Sequence, residues 1–480
     1  MSSLRPAVRT LALAALACAC PPVGSDDTNS TDGPEEVTTV AAGATSGDSD
    51  GTGPQGQPDL PGTTAQTTSG DPTDQPGETT GEPGTGTATS TSTGAEDTGE
   101  TSTGDSDGTT DDPGGCDPDD EPVTFDYIWI ANSTQGTVSK INTVTGEEEG
   151  RYRTAAISSE PSRTSVNQYG DVAVSNRYPG SVTKISAVLE RCVDANNNGQ
   201  IDTSSGMNDI LPWGEDECVL WNTEVPSTTY NTGPRPTAWE GTKQDHRSCE
   251  TPTPRLWVGF GESSNKAAFW RLHGETGEVL DAVSYSHWMG EYGPYGGAVN
   301  REGDLYAIGI ADAPILHVDA ETLEITKIEL PTAASKYGVA LDQNGNLWIS
   351  GTLAGANMFH HDFEDQSWTS LGSGGGNWIL GVAVDQEGRV WGAGSGPCRL
   401  VEASVEDVTY TNTNIPLPGC SQPWGVSVDD DGYVWVVDKG NKAFKVDPDT
   451  YEIVDIVTGL VDPYTYSDMT GQGLKLVTIE

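Results

Sequence analysis

An internal repeat is the feature of this 480-residue sequence that most constrains its fold. The stretch YGVALDQNGNLWISG begins at Tyr337, and related stretches begin at Tyr295, Leu380 and Trp424. The second residue of every copy is glycine, and these residues are Gly296, Gly338, Gly381 and Gly425, at steps of 42, 43 and 44 residues. A period near forty in a strand-rich sequence is typical of the blades of a β-propeller.

The number of blades follows from the second strand of each unit. Seven such strands are centred on Trp129, Ala173, Trp257, Tyr306, Trp348, Trp391 and Trp435. The first unit begins at Phe125 without a first strand, and a weak copy of the repeat begins at Tyr464. We therefore predict an all-β fold, a propeller over residues 123–480. Seven blades fit the spacing best, six or eight remain compatible with it, and N- and C-terminal strands close the ring and remove its open edges.

Three of the four clearest units also contain an Asp-x-x-Gly turn after the first strand. Asp342, Asp385 and Asp429 begin these turns. An aspartate accepts hydrogen bonds from its own turn, and glycine adopts the positive φ that such a turn requires. We assign these aspartates to the turns rather than to catalysis.

Residues 21–122 have the composition of a disordered stalk. They contain no lysine, arginine or aromatic residue, and 23 of them are acidic. Such a segment buries too little apolar surface to offset the entropy of ordering, about 1–2 kcal/mol per residue for the backbone. The net charge of −48 for the whole chain argues against nucleic acid as a partner and against direct docking on anionic lipid.

Residues 1–20 resemble a lipoprotein-type signal peptide. Two arginines precede a short apolar run, which ends in Leu16-Ala17-Cys18. Small residues before a cysteine at this place resemble a bacterial lipobox, so Cys18 is the predicted lipidation site, with Cys20 as the second choice. An ordinary cleaved secretory signal is the alternative. Both interpretations predict export, and the first predicts a lipid anchor in the bacterial cell envelope, at the outer membrane and facing the periplasm or the surface.

Export permits disulfide bonds between the remaining cysteines. Cys398 and Cys420 lie within one blade and are close enough in sequence to pair across its strands. The other candidates allow three pairings that the sequence does not decide between, and they are Cys116, Cys192, Cys218 and Cys249.

A predicted insertion at residues 187–251 contains a candidate calcium loop. Its oxygen-bearing residues are Asp194, Asn196, Asn198, Gln200 (through its carbonyl) and Asp202, with Gly199 at the sharp bend. This spacing resembles EF-hand and related Asp/Asn-rich loops, which bind Ca²⁺ through six to eight oxygens. Ser205 stands where an EF-hand has its bidentate glutamate, so Asp209, or Asp216 with Glu217, is the candidate for the missing carboxylate. An Asn-Gly-rich turn without metal is the alternative, and a bound ion is expected to be structural.

Aromatic residues stand before the first strands of several blades, where a propeller has one mouth of its central channel. They are Tyr295, Tyr337, Trp378 and Trp424, and His287, Trp288 and Tyr292 precede Tyr295 in the same kind of loop. Tyrosine and tryptophan offer stacking faces with polar tips, which suit glycans, peptides or aromatic ligands. The alternative is that these side chains only fill and seal the mouth.

The GVALDQNGNLWIS type of unit resembles the NHL-like and virginiamycin B lyase-like propellers, over most of Val123 to Glu480. Lyase members resemble one another in a histidine before the repeat glycine and a glutamate after the aromatic strand, which serve a Mg²⁺-assisted elimination. In this sequence, the position of that histidine is occupied by Tyr295, Tyr337, Leu380 and Trp424. The position of that glutamate is occupied by Gly309, Gly351, Gly394 and Asp438. The resemblance therefore implies the fold and transfers no catalytic residue.

These observations favour a non-enzymatic propeller that binds a ligand or protein at its mouth and is displayed from a membrane by a lipid anchor. The expected ligand is a glycan or a peptide, and the head is expected to be a monomer. A metal-dependent lyase or hydrolase with its site at the mouth is the first alternative, and a structural scaffold is the second.

Overall fold

The structure is a computed structural model that describes residues 125–478, except 228, 243–251, 264, 312, 332–334 and 354–355. The predicted signal peptide and stalk lie outside the described residues, as do Cys18, Cys116 and Cys249. The described part forms seven antiparallel sheets, each with its strands in sequence order. This arrangement is a β-propeller with seven blades, as predicted.

Blades 1 to 4 occupy the first half of the described chain. Blade 1 contains β1 (Tyr127–Asn132), β2 (Thr137–Asn142) and β3 (Glu148–Arg153). Blade 2 contains β4 (Pro161–Val166), β5 (Val172–Arg177), β6 (Gly180–Ile185) and β7 (Val219–Glu224). Blade 3 contains β8 (Thr237–Trp239), β9 (Arg255–Ser263), β10 (Lys266–His273) and β11 (Val279–Tyr285). Blade 4 contains β12 (Gly296–Val299), β13 (Leu305–Ile308), β14 (Ile315–Val318) and β15 (Ile325–Ile328).

Blades 5 to 7 carry the clearest copies of the repeat. Blade 5 contains β16 (Lys336–Leu341), β17 (Leu347–Leu353), β18 (Ala356–Asp362) and β19 (Ser367–Ser370). Blade 6 contains β20 (Trp378–Val384), β21 (Arg389–Ser395), β22 (Arg399–Ser404) and β23 (Thr409–Pro416). Blade 7 contains β24 (Pro423–Val428), β25 (Val434–Asp438), β26 (Lys442–Val446) and β27 (Ile453–Thr458), and the helix α1 (Gln472–Thr478) follows.

The C-terminal segment closes the ring beside β1. The Trp129 amide donates to the Met469 carbonyl at 2.9 Å, and the Tyr464 amide donates to the Ala131 carbonyl at 3.2 Å. An antiparallel bridge between Asn132 and Pro463 continues this pairing. The segment thus takes the innermost place of blade 1, and the predicted closure by both ends of the chain is confirmed.

The core lies between neighbouring blades rather than at one centre. Seven clusters of buried apolar side chains fill the seven spaces between adjacent blades. The largest contributors are the fully buried indoles of the second strands, which are Trp129, Trp257, Trp348, Trp391 and Trp435. Complete burial of a large apolar side chain stabilises a fold by about 1.5–3 kcal/mol, so this position anchors five of the seven sheets to a neighbour.

The turn aspartates accept hydrogen bonds from the indole groups of three of these tryptophans. One carboxylate oxygen of Asp342 accepts the amides of Asn344 and Asn346, while the other accepts the indole N–H of Trp348 at 2.9 Å. The same indole bond recurs in two further blades, from Trp391 to Asp385 and from Trp435 to Asp429. The structural role predicted for these aspartates is confirmed.

The range predicted as an insertion is too long, because it contains two strands of the propeller. β7 is the outer strand of blade 2, and β8 is the inner strand of blade 3. β8 has only three residues, Thr-Ala-Trp, and neither strand contains the glycine pattern of the repeat. The sheets therefore occupy part of 187–251, and the candidate calcium loop lies in the connection between β6 and β7.

Two disulfide bonds stabilise connections between strands. Cys398 pairs with Cys420, as predicted, and Cys192 pairs with Cys218, which selects one of the open alternatives. The second bond joins the two ends of the connection that contains the candidate calcium loop. No helix in the described residues combines the length and apolar character that a membrane crossing requires.

The helix α1 fills one end of the central channel, the end at which the Asp-x-x-Gly turns lie. Its side chains Leu474, Leu476 and Val477 join three different inter-blade clusters, and Lys475 forms an ion pair with Asp430. Above the helix the channel keeps a cavity of about 70 Å³. This space holds at most a few water molecules, so a larger ligand has access only to the opposite end of the channel.

Candidate functional site

The inner strands bring aromatic and arginine side chains together at the end of the channel opposite α1. We call this group the mouth cluster. It comprises Arg163, Arg235, Tyr292, Tyr295, Tyr337, Leu380, Trp424, Tyr464 and Tyr466. Every blade contributes to it, since each member lies at or just before the start of an inner strand or in the C-terminal segment that takes that place in blade 1.

The repeat glycines allow these side chains to approach one another. A Cβ atom at Gly381 would lie 2.6 Å from the Trp424 carbonyl oxygen, and one at Gly425 would overlap the Thr465 carbonyl. Contacts this short do not occur for real Cβ atoms. The glycines after Tyr337, Leu380 and Trp424 are therefore required by the backbone of the next blade, which explains why glycine marks the clearest copies of the repeat.

Three tyrosine hydroxyls form a hydrogen-bonded chain inside the mouth cluster. The Tyr464 hydroxyl lies 2.7 Å from that of Tyr295 and 2.9 Å from that of Tyr337. Burial raises the pKa of Tyr464 and of Tyr337, and the other tyrosines raise both further. Burial also acts to raise the pKa of Tyr295, but Arg235 and Arg163 outweigh it, so the net shift is downward. Tyr295 is thus the hydroxyl of the chain that ionises first.

Three buried arginines surround this chain. Arg163 donates to the Tyr295 carbonyl, at 3.0 Å from Nε, and lies against the ring of Tyr466. Arg235 faces the rings of Tyr292 and Tyr295, at 5.4 and 5.2 Å from their centres. Arg177 lies over Tyr464 and forms an ion pair of 2.8 Å with Glu160. Cation–π contacts of this kind are favourable, and more so where water is excluded.

The aromatic residues that the sequence predicted for the mouth separate into two groups. Tyr292, Tyr295, Tyr337 and Trp424 lie in the mouth cluster. Trp288 instead packs between blades 3 and 4 and donates its indole N–H to the Tyr292 carbonyl at 2.7 Å. His287 and Trp378 are exposed, and Trp378 lies at the first residue of β20.

Sequence reasoning missed Arg163, Arg235, Tyr464 and Tyr466. The repeat glycine that pointed to Tyr295 and its counterparts is replaced by Thr164 after Arg163 and by Pro236 after Arg235. The two tyrosines reach the site only because the C-terminal segment completes blade 1. Alternation of Tyr464 and Tyr466 in a strand-like run is the one local signal that points to a shared face.

The predicted calcium residues lie close together in the connection between β6 and β7. The side-chain amides of Asn196 and Asn198 both donate to one oxygen of Asp202, at 2.8 and 2.9 Å. Asp194 accepts the amides of Asn198 and Gly199, at 3.1 and 2.9 Å. Gln200 donates its backbone amide to the side chain of Asn198 at 2.7 Å.

Glu217 holds this loop from the disulfide side. Its carboxylate accepts the backbone amides of Ala195, Asn196 and Asp202, at 2.8, 3.2 and 2.9 Å. The described residues contain no group of three or more His, Cys, Asp or Glu side chains arranged to hold a metal ion. The calcium site rests on the oxygen spacing of the loop and stays a prediction.

The position after the aromatic strand, where lyase members carry glutamate, holds glycine in three blades and aspartate in a fourth. Asp438, the one carboxylate among them, is fully buried and accepts the backbone amides of Ser421 and Gln422. Among the third-strand histidines, His317 lies 2.9 Å from Asp304 and His360 lies 3.6 Å from Asp342, at the turn ends of their blades. Neither histidine belongs to the mouth cluster.

Comparison with known proteins gives likenesses of fold. No family model matches the sequence, and no curated protein matches it. A virginiamycin B lyase structure from Staphylococcus aureus is 14% identical, with 64% of this chain and 89% of that chain covered and a TM-score of 0.46. A streptogramin B lyase structure is 14% identical, with 65% of this chain and 87% of that chain covered and a TM-score of 0.46. A protein structure from Lactobacillus plantarum is 11% identical, with 71% of this chain and 98% of that chain covered and a TM-score of 0.48. Our assignment of the propeller rests on the sheets and inter-blade clusters above.

Proposed function

We propose that the protein is a ligand-binding propeller whose site is the mouth cluster. The observation that carries the proposal is the composition of this cluster, in which aromatic faces contributed by several blades surround buried guanidinium groups. Trp424 and Tyr464 are only partly buried and lie 4.9 Å apart between ring centres. Such faces with polar tips suit the stacking of a sugar ring or an aromatic side chain, so a glycan or a peptide is the expected partner.

The opposite end of the channel supports this choice of site. The helix α1 fills that end, and the cavity behind the mouth cluster is about 70 Å³. Within the central channel, the mouth cluster is therefore the end that a ligand of the size of a sugar or a peptide side chain can reach. In the same proposal, the lipid anchor at Cys18 and the acidic stalk display the propeller from the cell envelope, and the loop at Asp194 to Asp202 holds a structural Ca²⁺ ion.

Glycan and peptide arrays probed with the chain from Pro21 onward test the binding role. We expect a binder whose signal falls at least tenfold in Trp424→Ala, because this change removes a partly exposed stacking face of the cluster. Trp378→Ala is the matched control, since Trp378 is 37% exposed but lies outside the cluster. An array on which both variants bind as the parent does would place the ligand elsewhere, and indifference to every probe would favour the structural scaffold.

A further inference from the structure

Two arginines of the mouth cluster are buried without an acidic partner. Arg163 is 0% exposed and Arg235 is 1% exposed. Within the described residues neither has a carboxylate within 4 Å, although the chain has 72 acidic residues and only 24 basic ones. Residues 123–480 contain about two acids for every base, so scarcity of carboxylates does not explain two unpaired buried cations. Charges are rarely buried in proteins unless they are paired.

A third buried arginine shows how this fold satisfies a guanidinium for purely structural purposes. Arg399 is 1% exposed and also lacks a carboxylate, but each of its three nitrogens donates to a backbone carbonyl. Arg163 and Arg235 also donate to backbone carbonyls, Arg163 to that of Tyr295 and Arg235 to those of Tyr230, Asn231 and Gly233. They differ from Arg399 because one nitrogen of each, Nη1 of Arg163 and Nε of Arg235, has no hydrogen-bond partner. Their surroundings therefore leave donor capacity unused where water is excluded.

Two further donors of the mouth cluster share this property. The indole N–H of Trp424 and the hydroxyl of Tyr466 are buried and have no partner. Arg163 lies against the ring of Tyr466, and Tyr337 stacks on both Trp424 and Tyr466, at 5.6 and 5.1 Å between centres. Buried donors are nearly always paired in folded proteins, so a group of unpaired ones requires an explanation such as a ligand.

The electrostatics of the cluster also indicate that a negative charge near the two arginines is missing. Burial lowers the pKa of Arg163, and the neighbouring Arg235 lowers it further, against the opposite effect of Tyr337, Tyr295 and Tyr464. Two like charges in a medium of low polarity repel each other, and each loses hydration. A single anion near both guanidiniums removes the repulsion and supplies the absent hydrogen-bond acceptors.

We propose that the mouth cluster recognises an anionic ligand, specifically a carboxylate attached to a flat ring. Arg163 and Arg235 bind the carboxylate, with Trp424 and Tyr466 as additional donors, and the tyrosine and tryptophan faces stack on the ring. Guanidinium and carboxylate groups match each other in shape and form strong charge-assisted hydrogen bonds. This inference rests on the proposed binding role and names the chemical class of the ligand. Tyr464 and Trp424, the partly buried members, are the side chains that move to admit it.

Benzoate is the probe that tests this proposal on the chain from Pro21 onward. Benzyl alcohol supplies the ring without the charge, and acetate and inorganic phosphate supply charge without the ring. In calorimetric titrations, we expect benzoate to bind at least tenfold more tightly than acetate or phosphate. In thermal melting, we expect benzoate to raise the melting temperature of the protein. Benzyl alcohol is expected to leave the melting temperature unchanged. Failure of benzoate to bind overturns the proposal, and equal binding of benzyl alcohol overturns the role of the charge.

Arginine variants separate ligand recognition from stability. In Arg163→Met and Arg235→Met, benzoate binding is expected to fall at least tenfold, while the ligand-free melting temperature is expected to fall less than in Arg399→Met, because an unpaired charge leaves the interior together with the lost carbonyl bonds. Arg399→Met is the matched control, in which the melting temperature falls but benzoate binding is retained. Arg235→Lys keeps a positive charge and is expected to recover part of the binding. If both methionine variants bind benzoate as the parent does, the arginines do not recognise the anion.

The two proposals fail in different ways. If the arrays give a binder that depends on Trp424 but no anion binds, the mouth cluster is a binding site for neutral ligands and only the anion inference is wrong. If benzoate binds through Arg163 and Arg235 and the arrays give nothing, the site stands and glycans and peptides are the wrong ligand class.

Discussion

At the scale of single residues, one carboxylate per turn connects local and long-range structure. Asp342 satisfies its own turn with one oxygen and the buried indole of Trp348 with the other. A carboxylate suits this place because it is an acceptor at both oxygens. The repeat therefore keeps aspartate and tryptophan six residues apart, and the pair orients the indole that packs between blades.

Replacing Asp342 by asparagine tests this double role. The amide keeps one acceptor for the turn but presents an N–H₂ group to the indole N–H, so two donors face each other. We expect the free energy of unfolding to fall by about 1–3 kcal/mol, the cost of an unsatisfied buried donor. Chemical denaturation monitored by tryptophan fluorescence measures the change.

Asp319→Asn is the control, since Asp319 accepts the turn amides of Glu321 and Thr322 without an indole partner. Its stability is expected to change by less than about 0.5 kcal/mol, as is usual for surface positions. Equal losses in the two variants would contradict the role of the indole bond.

Tyr295 makes anion binding at the mouth sensitive to alkaline pH. The titratable and charged groups that face it are Tyr292, Tyr337, Tyr464, Tyr466, Arg163 and Arg235. Its pKa lies below the ordinary tyrosine value of about 10, and burial lowers the pKa of Arg163 as well, to about 9. Ionised Tyr295 then competes with an external anion for the arginines.

Benzoate affinity is therefore expected to fall as the pH rises through the pKa of Tyr295. In Tyr295→Phe this loss is expected to become smaller over the same interval, because the variant has no ionisable group at that position and only Arg163 still titrates there. Calorimetric titrations at a series of pH values between about 7 and 10, the range below the ordinary tyrosine pKa, measure both profiles. Identical profiles for the parent and the variant would show that another group controls the pH dependence.

At the scale of elements, the C-terminal segment has two separable tasks. Residues from Pro463 onward complete the inner place of blade 1, and α1 then fills the channel. The first task closes an open sheet edge, and the second buries a few apolar side chains. Closure contributes more to stability than α1 does, because an open ring exposes the whole apolar cluster between blades 7 and 1.

Two truncations distinguish these tasks. A chain that ends at Gly471 loses α1 only, and we expect it to remain folded with a lower melting temperature, since loss of a buried leucine costs about 2–5 kcal/mol. A chain that ends at Asp462 also loses the closing strand and is expected not to fold cooperatively. Circular dichroism and thermal melting report both results, and equal stability of the two chains would contradict the importance of closure.

The connection between β6 and β7 is the second element with a testable role. If the loop from Asp194 to Asp202 binds Ca²⁺, excess Ca²⁺ raises the melting temperature relative to EDTA. Binding to the folded state alone stabilises it by about 2.7 kcal/mol at a free concentration one hundred times the dissociation constant. Asp194→Asn is expected to lose this difference, whereas the exposed Asp365→Asn retains it. A melting temperature that is equal in Ca²⁺ and in EDTA would refute the calcium prediction.

At the scale of the whole molecule, the chain separates a charged segment from a packed one. The stalk composition offers no core, whereas the propeller buries an apolar cluster between every pair of blades. We propose that a lipid anchor at Cys18 gives this division a purpose, since a segment of this acidic composition is expected to repel itself and extend. The propeller would then be held away from the membrane surface.

Cys18→Ser tests the proposed anchor. We expect the parent protein, expressed in a bacterium that processes lipoproteins, to partition into detergent and to carry a lipid-modified N-terminus by mass spectrometry. The variant is expected to lose both properties, while Cys20→Ser retains them. Loss in Cys20→Ser alone would transfer the site to Cys20, and a soluble parent protein would favour an ordinary secretory signal.

The sequence alone determined the features that depend on local pattern. Alternating strands, turn aspartates and the repeat glycine recur in the clearest units, so the blades, the turns and the Cys398–Cys420 pair were predictable from short-range spacing. Tertiary structure alone decided which further side chains join the predicted tyrosines and Trp424 at the mouth. Arg163, Arg235, Tyr464 and Tyr466 come from units without the repeat signature and meet only because the ring closes. Closure is a long-range event, and no local periodicity records it.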